Sequence, residues 1–213
     1  MSRIRRHKAT KTISHVEKKK GLSKSAILTI IIGGVMLLST FGIIFSGYNS
    51  STESVKYNGH TLKRTNAGWV TKINGQQVIF GYSPTELQNM NISKDAAEKL
   101  FNAKVLYITF NPNAKYVEKF ELARFEMGQN LATIFNVYAM PGVTIQNSTY
   151  KQPVVTCENA TMAVPVIYLA EANETKARVS GDCVILESDE YTIIALKDKI
   201  LYAMLDMQDK EQV

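Results

Sequence analysis

Residues 104–142, KVLYITFNPNAKYVEKFELARFEMGQNLATIFNVYAMPG, decide the fold. The first seven, KVLYITF, are apolar enough for a central strand. From Lys115 to Ile134 the residues Tyr116, Phe120, Ala123, Met127, Leu131 and Ile134 recur at spacings of three and four, the stripe of a helix that turns one face to a core. FNVYAM (135–140) returns to a strand pattern, which Pro141-Gly142 is expected to stop. Strand, helix and strand of this length predict a βαβ unit with two parallel strands and a right-handed crossover.

Toward the N-terminus, Asn58-Gly59 and Asn74-Gly75 are each flanked by strand formers, the strongest short-range hairpin signal. A three-stranded meander is expected over Lys56–Thr65 and Gly68–Tyr82, with Trp69, Val70, Ile73, Val78, Ile79 and Phe80 on its buried face. Pro84 ends it. Ser93 is placed to cap a helix over Lys94–Asn102, with Asp95 favourable in the first turn.

Toward the C-terminus, Gly142–Gln152 reads as a polar loop and Val154–Cys157 as an edge strand. Met162–Leu169 is rich in strand formers, although Pro165 points to an edge position or a bulge. Lys176–Val179 and Asp182–Leu186 form a hairpin. Ser188 or Asp189 then caps a last helix through Met207, whose apolar face carries Ile193, Leu196, Ile200, Ala203, Met204 and Met207. Lys197, Asp198 and Lys199 interrupt its apolar run, so this helix is expected to dock on a sheet rather than cross a membrane. The expectation is one α+β domain over 56–213: a mixed sheet with an N-terminal β-meander, a βαβ unit, a β-hairpin and a C-terminal helix.

A different pattern precedes it. Ala26–Phe45 carries no charge over 20 residues, which in a helix covers about 30 Å, the thickness of a bilayer's hydrocarbon core. The run is too long for a cleavable signal peptide's apolar core, and no A-x-A-like site follows it. Residues 25–48 therefore predict a transmembrane helix, followed by a polar linker over 49–55. Its pairs Thr29/Gly33 and Gly42/Ser46 have the small-x-x-x-small spacing that permits close helix packing.

The net charge of +6 is not spread evenly. Nine of the 25 basic residues lie in 1–24, against one of the 19 acids, so this tail carries +8 and the remainder about −2. Basic residues flanking a span stay on the cytoplasmic side, which puts the N-terminus inside and the domain outside. The tail has no Phe, Tyr or Trp and few large aliphatic residues and is expected to be disordered; it can also meet anionic lipid headgroups. A mildly acidic domain gives no electrostatic case for binding nucleic acid.

Two cysteines occur, Cys157 and Cys183, both on the exterior side. In an oxidising compartment such a pair is expected to form one disulfide. The sequons at Asn49, Asn91, Asn147, Asn159 and Asn173 all lie beyond the span, where N-glycosylation would take place, with Asn49 almost at the membrane surface.

Signatures of chemistry are sparse. His60 and two distant cysteines do not make a zinc site, and no cofactor or metal is expected. G-x-S-x-G, the P-loop and G-x-G-x-x-G are all missing from the sequence. The pairs Asp189/Glu190 and Asp95/Glu98 fall at helix starts, where capping accounts for them, and Tyr107, Phe110, Tyr116, Phe120 and Phe125 read as core.

The strings CENAT (157–161), PVIYL (165–169), NET (173–175) and GDCVIL (181–186), with Tyr57-Asn58-Gly59 and Lys72-Ile73-Asn74-Gly75, resemble uncharacterised archaeal single-pass membrane proteins with an extracytoplasmic α+β domain. That resemblance implies the same topology and the Cys157–Cys183 pairing, and no activity. Lys20-Gly21-Leu22-Ser23 also resembles the processing site of archaeal type IV pilin precursors, which implies cleavage after Gly21. Lys24 inside the following helix, Ala26 where many bacterial relatives carry Glu, and the break at Gly47–Ser54 speak against it. The expected function is that of a membrane-anchored, non-enzymatic surface protein that meets the lipid bilayer and other membrane or envelope proteins. The alternatives are the pilin-like protein and an extracytoplasmic hydrolase or thiol oxidoreductase.

Overall fold

Paired left-handed residues start the architecture. The computed structural model describes residues 53–90 and 92–211. Asn58 and Gly59 have φ of 44° and 74°, and Asn74 and Gly75 have 52° and 78°. These conformations suit two-residue hairpin loops whose twist matches the flanking strands. They join β1 (Ser54–Tyr57) to β2 (His60–Thr65) and β3 (Gly68–Ile73) to β4 (Gln76–Phe80). Between β2 and β3 the Thr65 hydroxyl donates to the Gly68 carbonyl at 2.9 Å and accepts from the Ala67 N–H at 3.2 Å. Three turns make four strands, in the order β1-β2-β3-β4 and antiparallel throughout, not the expected three. Because β1 starts at Ser54, the end of the expected linker belongs to the sheet.

Pleating selects the buried face of this sheet. Trp69, Thr71 and Ile73 of β3, with Val78 and Phe80 of β4, point inward. Val70 and Ile79, expected in the core, face each other across the ladder on the outer side.

The βαβ prediction holds in its main feature. The strand β5 (Val105–Phe110), α2 (Val117–Phe135) and β6 (Tyr138–Val143) follow α1 (Lys94–Phe101), and β5 pairs with β6 in parallel. The helix stops because Asn136 takes a left-handed conformation, φ 54°, and returns its N–H to the Leu131 carbonyl. Strand β6 then runs through Pro141 and Gly142 instead of ending there. It is an edge strand, where a residue without an N–H is tolerated.

A second sheet has the order β6-β5-β7-β9-β8, with β7 (Val166–Glu171), β8 (Lys176–Ser180) and β9 (Cys183–Ser188). The strands β6, β5, β7 and β9 are parallel, and β8 closes the far edge by an antiparallel hairpin with β9. The α+β class therefore stands, with two sheets in place of one. Pro165 does not push its strand to an edge: it sits just before β7, where its carbonyl accepts from the Tyr107 N–H at 3.1 Å, and β7 is central. Val154–Cys157 is not a strand. Only Val154 bridges to Val143, and Cys157–Asn159 form a 3-10 turn capped by Thr156.

Alternation divides the larger sheet into two faces. Leu106, Ile108, Phe110, Ile167, Leu169, Val184 and Leu186 join the helices and the meander in the main core. Val166, Cys183 and Ile185 point the other way, under a cover that includes Val155, Cys157 and Ala160. The Thr109 hydroxyl donates to the Val155 carbonyl at 2.9 Å and the disulfide bonds Cys157 to Cys183, so both ends of this cover are fastened to the sheet.

The last helix, α3 (Ile193–Glu211), contacts α1, α2 and β9. Its expected face is buried at Ile193, Leu196, Ile200 and Met204, with Ala203 and Met207 half-buried. Leu201, Tyr202 and Leu205 are buried as well, and so are Lys197 and Asp198, two of the three charged residues that interrupt the apolar run.

Among the described residues no helix is long and apolar enough to cross a membrane. The tail 1–24, the span 25–48, Gly21, Asn49 and Asn91 lie outside the described residues.

Candidate functional site

The helix α2 has two apolar stripes. Phe120, Ala123, Met127, Leu131 and Ile134 face the core, as the spacing predicts. Leu122 and Phe125 lie off that stripe and are 44% and 60% exposed, which corrects the reading of Phe125 as core. Next to them Gly128 brings the helix close to β6: a Cβ placed on it would stand 3.6 Å from the Ala139 Cβ. Tyr138, at the start of β6, is 66% exposed. A groove of about 750 Å³ runs between helix and strand, walled by Leu122, Phe125, Gly128, Tyr138, Pro141 and Gln152.

Polar groups brace one end of this groove. The Arg124 guanidinium donates to Glu121 Oε1 at 3.2 Å and to the Gly142 carbonyl at 3.3 Å, and it lies 4.7 Å above the centre of the Phe110 ring. Burial draws its pKa down while the Glu121 carboxylate opposes the shift. Tyr150 donates its hydroxyl to Glu121 Oε2 at 3.0 Å; burial and then this bond push its pKa up, so the phenol keeps its proton. These contacts join α2 to the loop after β6 and fix the groove's polar end. On its wall the Gln152 Oε1 is buried with no hydrogen-bond partner among the described residues.

The sequence-predicted site residues lie elsewhere. Cys157 and Cys183 form the expected disulfide, with Cα atoms 5.1 Å apart and Cys183 fully buried in β9. That arrangement leaves neither sulfur as a thiol. Asn159 and Asn173 are exposed, the first accepting from the Thr156 N–H at 2.8 Å. Asn147 is half-buried, with its amide donating to Asn113 at 2.8 Å and accepting from the Thr149 N–H at 2.7 Å. None of these asparagines lines the groove.

The carboxylate pairs at the helix starts behave as capping and surface groups. Asp189 accepts from the Thr192 hydroxyl at 2.7 Å and from the Thr192 and Tyr191 N–H groups at 2.9 and 3.0 Å, which together hold its pKa down, and Glu98 pairs with Lys94 at 3.3 Å. Ser93 occupies the N-cap position of α1 without a side-chain cap bond. Among the described residues no group of three or more His, Cys, Asp or Glu is placed to hold a metal ion.

Sequence reasoning missed a buried charged cluster on α3. Asp198 Oδ2 accepts from the Gly81 and Tyr82 N–H groups at 2.7 and 3.0 Å, just beyond β4. Lys197 Nζ stands 2.6 Å from Asp198 Oδ1 and 3.1 Å from Glu126 Oε2. Desolvation pushes the Asp198 carboxyl up, against the pull of Lys197 and the two N–H groups. Farther along α3, Tyr202 donates to the Tyr82 carbonyl at 2.9 Å, and Asp206 accepts from Tyr57 and Asn58 in the first hairpin. This row is a clamp between helix and meander. Its signal was present in the sequence, since Ile194, Asp198, Leu201 and Leu205 form a second helical stripe.

No protein-family model matches the chain, and no curated protein or solved structure matches it.

Proposed function

We propose that this protein is a membrane-anchored extracytoplasmic interaction protein, an accessory or structural component that docks another membrane or envelope protein through the groove between α2 and β6. The observation that carries the reading is the clustering of Leu122, Phe125 and Tyr138, large apolar side chains left exposed around one hollow. Apolar residues scattered singly over a surface need no explanation, but a contiguous set beside a groove marks a contact site. The uncharged run at 26–45 and the +8 tail before it supply the anchor and the orientation. The disulfide and the sequons fit an exterior, oxidising setting.

A photo-crosslinking residue placed at Phe125 in the full chain, in native membranes, tests the reading. A discrete adduct from position 125, not reproduced from the still more exposed Met162, is the expected result. Equal and diffuse labelling from both positions overturns it. The pilin-like reading rests on Lys20-Gly21-Leu22-Ser23, and the mass of the mature N-terminus separates the two: a start at Leu22 favours processing, and an intact tail favours the anchor.

A further inference from the structure

Resting on that reading, we infer that the groove takes an extended segment of the partner protein, which adds a short strand to the open half of the β6 edge and carries a Lys or Arg side chain to Glu118. Three observations define this occupant.

The first is the direction of the backbone groups. In a parallel ladder, alternate residues bond to a given neighbour. Tyr138 and Thr144 donate to the Lys104 and Phe110 carbonyls of the β5 side, at 2.9 and 3.0 Å. The even positions of β6 thus face β5, and Ala139, Pro141 and Val143 turn their backbone groups outward. Val143 is already occupied: its N–H donates to Pro153 at 3.0 Å and its carbonyl accepts from the Val155 N–H at 2.8 Å. The chain's own Pro153–Val155 therefore covers one half of this edge in an extended, parallel bridge. Among the described residues, what is left without a partner is the Ala139 N–H and carbonyl and the Pro141 carbonyl, enough for a strand of a few residues. Pro141 contributes no donor, which keeps the opening too short for indiscriminate edge-to-edge pairing.

The second observation is Gln152, immediately before the covering segment. Its buried, unpartnered Oε1 on the groove wall is an acceptor placed where the added strand would end. The third is charge. The charged groups on the groove are Glu118, Glu121 and Arg124. Arg124 and Glu121 satisfy each other, while Glu118 is exposed and has no basic partner among the described residues. The groove is left with one uncompensated carboxylate two helical turns before the exposed Phe125 on the same wall, a setting that favours a cationic side chain with an apolar stem.

A short peptide alternating Val and Thr with one central Lys is the probe, used beside its Lys→Ala and Lys→Glu versions on the full chain in detergent. The expected order of affinity is Lys over Ala over Glu, with about a threefold to fivefold step that shrinks in high salt and in Glu118→Gln. Binding should also shift the Ala139 amide resonance and slow its exchange. Equal affinity of the three peptides, or groove binding that leaves the Ala139 amide unmoved, overturns this inference while leaving the docking reading in place. If no peptide moves a groove resonance while Phe125 still crosslinks to a partner, this inference falls alone. If the crosslink fails too, both fall.

Discussion

The helices α2 and α3 have the same length, 19 residues, and opposite surroundings. The first leaves Leu122 and Phe125 in solvent; the second takes a lysine and an aspartate entirely out of it. Each inverts the usual rule of apolar inside and charged outside. On α3 the inversion is repaid locally, because Asp198 fills two backbone donors at the exit of β4 and Lys197 balances its charge. On α2 nothing within the described residues covers the exposed stripe. A repaired inversion is architecture, and the unrepaired one is the ground for the proposed contact surface. Substitutions can break or sharpen that contrast.

The largest effect is expected from Asp198→Ala. It removes the acceptor for the Gly81 and Tyr82 N–H groups and leaves Lys197 buried with only the half-exposed Glu126. Breaking a buried pair in this way costs about 3–5 kcal/mol, which denaturant melts of the purified domain would register. Lys197→Met combined with Asp198→Asn should be milder than Asp198→Ala alone, since it removes the stranded charge and keeps an acceptor. A loss under about 1 kcal/mol for Asp198→Ala would remove the clamp from the account of this fold.

Replacing both Cys157 and Cys183 by Ala comes next. The bridge spans a sequence separation of 26. In the chain-entropy model its loss costs about 3–4 kcal/mol, and it would release the cover over Val166 and Ile185. The parent protein melted in reductant should match the variant, and the parent melted without reductant should stay more stable. Gly81→Ala acts on the clamp by crowding: the new Cβ would stand 2.8 Å from the Ile194 side chain and 3.3 Å from Asp198 Oδ2. About 1–3 kcal/mol is expected from such overpacking in thermal or denaturant melts. Gly128→Ala, on the other helix, should do the reverse. Its Cβ meets only the Ala139 methyl at 3.6 Å, so the gain in helix propensity, about 0.5–1 kcal/mol, should show as a higher melting temperature.

How far the sequence revealed this arrangement depends on the range of each signal. The two Asn-Gly turns, the βαβ unit and the core stripes of α2 and α3 are local patterns, and they were read correctly. Which strands share a sheet is not local: nothing in β4 or β5 announces that they belong to different sheets. Pro165 and Pro141 misled because a proline limits one N–H, and where that N–H would have pointed depends on neighbours far along the chain. The disulfide was legible because the chain has two cysteines, which leave a single pairing. The groove was half legible. Leu122 and Phe125, three apart and off the core stripe, mark a second apolar line on α2, but only the fold sets Tyr138 and the open half of β6 beside it.

The smallest effect on stability separates the two helices most clearly. Phe125→Gln removes an exposed ring whose contacts are mostly with solvent, so unfolding should change by no more than about 0.5 kcal/mol. If the ring were folded into the protein's own packing, as its neighbour Phe120 is, the cost would approach the roughly 3–5 kcal/mol of a core aromatic truncation. The same substitution should abolish retention of the partner when the full chain is purified from native membranes, because aromatic anchors carry most of a contact's energy. Lost retention with unchanged stability is the behaviour of a surface kept apolar for a partner. Unchanged retention with unchanged stability would make Phe125 an ordinary exposed residue, and the contrast between the helices would then rest on α3 alone.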